Sequence, residues 1–324
     1  MSPYHRAIGT AWALLAMAAS QPALAQTPVL QGAAGVQIQY KEPTNPAHRP
    51  IYERLRKRTV LEQYKEFMSP LKLTRALNVA LEGCNGVINA THQMGKITYC
   101  YELIAEMQRQ IVETEVLPGF RREDAMVGGF VSILLHETGH AIFYLLDIPI
   151  FGREEDAADA IAAYVSLQFG PTSARRILTG TAFVWRAAEL TRQKKRSARQ
   201  FEDYSDEHGT DAQRFYNILC IALGSDVVEK TNTFSDFVQL MPEGRRGQCV
   251  REYTHAKNSF ARFVLPHVDV PLMKKVRSTE WLRSEDGSDI APPPAFGPQS
   301  SPSPGRPPGS PAPAPGRPAA PSPK

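Results

Sequence analysis

The sequence predicts an α+β fold, mostly helical, with a small N-terminal sheet followed by a helical C-terminal lobe. Three observations predict it. Val36-Gln37-Ile38-Gln39-Tyr40 alternates apolar and polar residues, as a half-buried strand does. Ile97-Thr98-Tyr99-Cys100-Tyr101 is β-branched and aromatic, a second strand. From Asp124 onward the pattern is mostly helical. The chain has 324 residues, 42% hydrophobic and 22% charged, an ordinary globular mixture. Wholesale disorder and a fibrous repeat are thereby excluded. A net charge of +4 is too mild for the dense basic footprint of a nucleic-acid binder.

Residues 1–25 read as a secretory signal peptide. His5 and Arg6 form a short n-region, Ala7 to Ala19 is an apolar run, and Ala23-Leu24-Ala25 is a cleavage site. The run is shorter than the roughly 20 residues a bilayer span needs, and no later segment reads as a span. The expectation is an exported bacterial protein, periplasmic or secreted, without a transmembrane segment in the mature chain. Its oligomeric state is not legible.

Residues 26–286 read as the folded domain. After the first strand, Ile51 to Met68 is a charged amphipathic helix. Leu71 to Ala80 carries Leu71, Leu73, Leu77 and Val79 and reads as a strand. Gly83 to Gly86 is a turn, and Glu102 to Val116 continues the second strand as a helix. The four cysteines are even in number, and export puts them in an oxidising compartment. Sequence proximity favours Cys84–Cys100 and Cys220–Cys249. The basic run Arg192 to Arg199 reads as a solvated helix end followed by a loop, with an anionic lipid or polymer as its other possible contact. Residues 287–324 form a Pro-rich tail: fourteen of the 27 prolines lie between Pro292 and Pro323. Such a composition stays extended and solvated, as a tether or as a solubilising tail.

The chemistry is concentrated after Val127. Val127 to Leu135 is apolar on nearly every face, the mark of a buried helix. It runs into His136-Glu137-Thr138-Gly139-His140, the H-E-x-x-H pattern. Residues i and i+4 share a helix face, so both imidazoles can address one cation. Glu137 sits about 100° around the helix. From there it can take a proton from a water the metal activates. Asp147 to Gly152 breaks the helix, and Arg153-Glu154-Glu155-Asp156-Ala157-Ala158-Asp159 opens another. Glu155 and Asp159 share a face, so Glu155 can ligate while Asp159 orients His136. Glu154 and Asp156 compete for the ligand role. Two imidazoles and a carboxylate suit one zinc ion per chain.

His136 to His140 followed by Glu155 and Asp159 resembles the gluzincin branch of zinc metallopeptidases. More closely, these residues with Pro149 to Asp159, Ile97 to Glu102 and Asp206 to Cys220 resemble a bacterial domain-of-unknown-function family labelled a metallopeptidase. The resemblance spans about residues 36 to 266 and implies a zincin-like fold, with the cleft between an N-terminal lobe holding the metal helix and a helical C-terminal lobe. Only 14 residues separate His140 from Glu155, which leaves no room for the tyrosine-bearing loop of thermolysin-like enzymes. Transition-state stabilisation must then come from elsewhere. His208 is the first candidate, ahead of Tyr216 and Arg214, with a helix-capping role as its competing reading. The strand Ile97 to Tyr101 is a candidate edge for pairing with an extended peptide. The function expected is a zinc-dependent metallopeptidase acting on peptide or protein substrates. The alternatives are a non-catalytic zincin-like binding module and a zinc hydrolase of cell-wall peptides.

Overall fold

The computed structural model describes residues 35–195, 199–279 and 281. The signal-peptide and tail expectations, and Arg196 to Ala198 of the basic run, lie outside the described residues. The fold is mostly helical with one small mixed sheet, as the sequence predicts. Strand β1 (Val36–Tyr40) leads through α1 (Arg49–Lys57) and α2 (Val60–Met68) to β2 (Leu77–Glu82). A hairpin of β3 (Ala90–Gln93) and β4 (Lys96–Cys100) follows, and α3 (Tyr101–Glu113) leaves β4 directly. The sheet order is β1-β2-β4-β3, with β1, β2 and β4 parallel and β3 antiparallel to β4.

Several expectations need correction. Ile51 to Met68 is two helices, because Thr59 adopts φ 48° and breaks the run. The stretch from Leu71 to Arg75 is not strand. Leu71 makes only an isolated bridge to Val268, and Thr74 Oγ1 donates to Leu145 O at 2.9 Å. Ile97 to Tyr101 is not an edge, since β4 lies between β2 and β3. The edges are β1 and β3, and no sequence signal marked β3: Ala90-Thr91-His92-Gln93 is short and polar.

The remaining elements are α4 (Arg122–Leu145), α5 (Glu154–Ser166), α6 (Pro171–Lys195), α7 (Asp211–Glu229), α8 (Glu243–Ser259) and α9 (Val270–Arg277). By length and composition α4 could cross a membrane, contrary to the sequence reading. Its most apolar window is 78% buried within the fold, so core packing accounts for its composition. It packs on the sheet on one side and on α5 and α6 on the others. Two hydrophobic clusters result. One joins the sheet, α1, α2 and α4; the other joins α6, α7 and α8. The disulfide Cys220–Cys249 lies within the second cluster, between α7 and α8, and Cys84–Cys100 lies beside the sheet at the end of β4. At the end of α6, Arg192 and Arg199 fold back onto Glu189, so only part of the basic run is solvated.

Candidate metal centre

His136 and His140 lie one turn apart on α4 and point to the same side. The chain reverses through Asp147 (φ 51°) and Gly152 (φ 104°), and α5 crosses back over that side. Gly139 permits the crossing: a Cβ there would lie 2.8 Å from Ile161 Cγ2 and 3.1 Å from Ala158 Cα. This close approach brings Glu155 opposite the two imidazoles. Glu155 Oε2 is 3.0 Å from His136 Nε2, and Oε1 is 3.3 Å from His140 Nε2. The two Nε2 atoms are 3.2 Å apart.

The other ring nitrogens are held by acids. His136 Nδ1 meets Asp159 Oδ1 at 2.8 Å, and His140 Nδ1 meets Glu154 Oε1 at 2.7 Å. A carboxylate accepts, so each Nδ1 carries the proton and each Nε2 turns a lone pair inward. Two lone pairs and a carboxylate facing one another repel unless a cation or protons lie among them. Without a metal, protons take that place. Burial pulls the His140 imidazolium down, but Glu155 and Glu154 outweigh it and raise its pKa to about 9. His136 is raised in the same way by Asp159 and Glu155 against burial. Burial pushes Glu155 up, yet the three surrounding imidazoles hold it far below the usual carboxylate range. Glu155 Oε2 is buried and has no aligned hydrogen-bond partner.

Beyond these, Arg214 grips Asp159 at 2.6 and 2.7 Å, and its guanidinium lies 3.7 Å from the Trp185 ring centre. Arg214 is thus committed to orienting Asp159 and is withdrawn as an oxyanion candidate. Tyr216 packs on Phe215 and is absent from the cleft lining. His208 does reach the centre: its Nε2 is 2.9 Å from Glu155 Oε2, and its Nδ1 is 3.1 Å from Asp206 Oδ1. It does not cap α7, because Thr210 does so in a capping box with Gln213. Of the competing acids, Glu154 stands on the outer side of His140, and Asp156 pairs with Arg153 at 2.7 Å.

These groups line a cleft of about 900 Å³, whose other wall is β3. Glu137 lines it too. Its side chain is buried, accepts no hydrogen bond from a described residue, and has its pKa raised by burial. The family described as "Putative metallopeptidase" (DUF4344) matches residues 40–264, a span that holds every residue of the cleft. The chain belongs to this family. No curated protein and no solved structure matches it. Membership of the metallopeptidase family implies a metal ion and a peptide or protein substrate. Among the described residues three groups could hold an ion. Cys84, Cys100 and Glu102 spend their sulfurs on a disulfide, and Glu155, Glu207 and His208 are mostly exposed. His136, His140 and Glu155 form the enclosed group.

Proposed function

We propose that the protein is a zinc-dependent peptidase of gluzincin type, with one zinc per chain held by His136, His140 and Glu155. The observation that supports this reading is the convergence of His136 Nε2, His140 Nε2 and the Glu155 carboxylate, with the opposite nitrogen of each imidazole held by an acid. Tetrahedral zinc with bonds of about 2.0–2.1 Å separates its ligands by roughly 3.3 Å. The spacings of 3.0, 3.2 and 3.3 Å fit that ion. When bound, zinc acidifies a water and polarises the scissile carbonyl.

The chain's own residues supply the rest. Glu137 takes the proton of the attacking water on its carboxylate and delivers it to the leaving amine. Its burial raises its pKa toward the working range, and its lack of a partner leaves it available. His208, whose imidazolium form is favoured by Glu155 and by Asp206 at Nδ1, carries a proton on both nitrogens in that form and donates from Nε2 to the oxygen that gains charge. Strand β3 pairs only with β4 among the described residues, so its outer edge can hold an extended peptide by main-chain hydrogen bonds. The two disulfides support an oxidising, exported location.

The test is direct. Glu137→Gln should keep zinc and fold but lose peptide hydrolysis by about 100-fold or more. His140→Ala should lose the zinc, as read by elemental analysis. Equal zinc in wild type and His140→Ala, or full turnover in Glu137→Gln, overturns the assignment.

A further inference from the structure

Large exposed apolar side chains are not scattered over this surface. Among the described residues, those other than valine are Ile88, Met94, Tyr144, Phe151, Phe201 and Tyr204. None lines the cleft itself, yet each belongs to a segment that does. Ile88 and Met94 stand immediately outside the two ends of the lining run Asn89 to Gln93. Phe151 lies two residues before Arg153, Phe201 two after Arg199, and Tyr204 two before Asp206, all three of which line the cleft. Tyr144 is one helical turn beyond His140, and its ring lies 5.8 Å from that of His92 on the β3 wall. The exposed valines Val112, Val227, Val250 and Val270 fall on four different helices, as single surface residues ordinarily do. Aromatic residues and methionine gathered around one opening are the composition of an interaction surface.

We propose that this apolar rim binds the two flanks of an extended, unfolded polypeptide whose scissile bond lies in the polar cleft. The substrate class is then an apolar and aromatic stretch of the kind that a folded protein buries. This assignment rests on the peptidase reading above and deepens it. Three observations favour such an occupant. First, the polar and apolar contacts are separated along the cleft. His136, Glu137, His140, Glu155 and His208 occupy its centre, and the exposed apolar side chains stand only outside it. Six chain positions divide Ile88 from Met94, at most about 20 Å of extended chain. A substrate must reach several residues to either side of the scissile bond to touch both. Second, the wall between them is the outer edge of β3, which asks for an extended main chain that is not already paired. A folded domain has no such segment to offer. Third, the exposed charge at the opening is acidic. Glu154 and Asp206 are 53% and 64% exposed, and Glu207 is exposed and pairs with no described residue. Arg153 and Arg199 are spent on Asp156 and Glu189. Such a rim repels an anionic membrane surface, whereas it admits an uncharged apolar chain.

The test uses the full, zinc-loaded chain and a rim variant that combines Ile88→Ser, Met94→Asn, Phe151→Ser and Phe201→Ser. Asparagine tolerates the positive φ of 45° at position 94. All four side chains are exposed, so the unfolding temperature of the variant should stay within about two degrees of the unaltered protein. Two peptides of about ten residues share a scissile region and differ in their flanks, one carrying Phe and Leu and the other Ser and Gly. The unaltered protein should cut the apolar-flanked peptide with the higher kcat/KM. The rim variant should lose about 10-fold on that peptide and nothing on a peptide of about four residues, which cannot reach the rim. Equal kcat/KM for the two long peptides, or an equal loss on the short one, overturns the proposal. Failure of the peptidase reading shows separately, as no cleavage of any of the three. Fluorescence anisotropy of the labelled apolar-flanked peptide with Glu137→Gln then tests the rim alone. Weaker binding when the rim substitutions are added to Glu137→Gln supports the proposal, and equal binding overturns it. Cosedimentation with phosphatidylglycerol vesicles that the rim variant loses, with no preference between the long peptides, would assign the rim to a membrane and overturn it as well.

Discussion

At the residue scale, the centre depends on which nitrogen of each imidazole is free. Asp159 and Glu154 hold the protons on the Nδ1 atoms, and Arg214 holds Asp159. Removing such an orienting group costs metal affinity rather than the ligand itself. Asp159→Asn should weaken zinc binding about 10–100-fold in a chelator competition. Glu154→Gln should cost less, since Glu154 is 53% exposed and solvent screens it. A second expectation concerns pH. His140 titrates at about 9 in the metal-free protein, against 6.5 for the ordinary imidazole. A raised pKa stabilises the fold fully below 6.5, and that contribution is lost as pH rises through about 9. Metal-free protein should therefore lose thermal stability across that window, and Glu155→Gln should flatten the loss. At pH 7 zinc must displace the bound proton, so uptake should acidify an unbuffered solution.

Much of this was legible. His136, Glu137 and His140 follow from the i, i+4 spacing, and Asp159 from its distance past the first turn. The shared face with Asp159 favoured Glu155, but Glu154 and Asp156 stayed in competition, because acids in a first turn suit the helix dipole whatever else they do. The reversal at Gly152 and the contact at Gly139 bring Glu155 opposite both Nε2 atoms and leave Glu154 at His140 Nδ1. Arg214 was misread for a related reason: its partner Asp159 lies 55 residues away.

At the element scale, the crossing of α4 and α6 is built on two glycines. A Cβ on Gly180 would lie 1.8 Å from Asp124 O, and one on Gly128 would lie 2.3 Å from Ile177 O. Backbone atoms cannot yield as a flexible side chain can. Gly180→Ala should destabilise the protein by about 1–3 kcal/mol or more, measured by denaturant unfolding. The buried Arg176–Asp124 pair, at 3.0 Å, lies at the same crossing and makes its spacing critical. Such a site is opaque to periodicity, which reads Gly128 and Gly129 only as part of an apolar run. The same blindness explains the helix break at Thr59 and the missed strand β3. A positive φ and a four-residue polar strand leave no periodic trace.

At the scale of the whole molecule, one disulfide lies inside the second hydrophobic cluster, the other lies beside the sheet, and no cysteine lines the cleft. Cys220–Cys249 closes a 29-residue separation, worth about 3.6 kcal/mol in the chain-entropy model. Cys220→Ala with Cys249→Ala should lower the unfolding temperature while leaving zinc content intact, because the proposed ligands come from α4 and α5. Loss of zinc in that variant would show that the second cluster helps to hold the ion. Sequence proximity sufficed to propose both pairings. The two clusters themselves were not legible, since α4 contributes to each and no linker divides them.

The proposed ligands lie close together in the chain, while two of the groups that would work with them arrive late. His136, His140 and Glu155 belong to one helix pair, whereas His208 and Arg214 come from beyond α6. Loop closure costs little over the first distance and more over the second. The order of maturation follows from this. On refolding, the nascent helix pair should capture its ion first, and the cutting activity should switch on only when the later segment docks. A stopped-flow experiment that follows zinc uptake and fluorogenic peptide cleavage together should show a lag between the two. Simultaneous onset would mean that the ion enters a finished molecule. Such a lag would keep the half-formed chain from digesting itself or its neighbours before folding is complete.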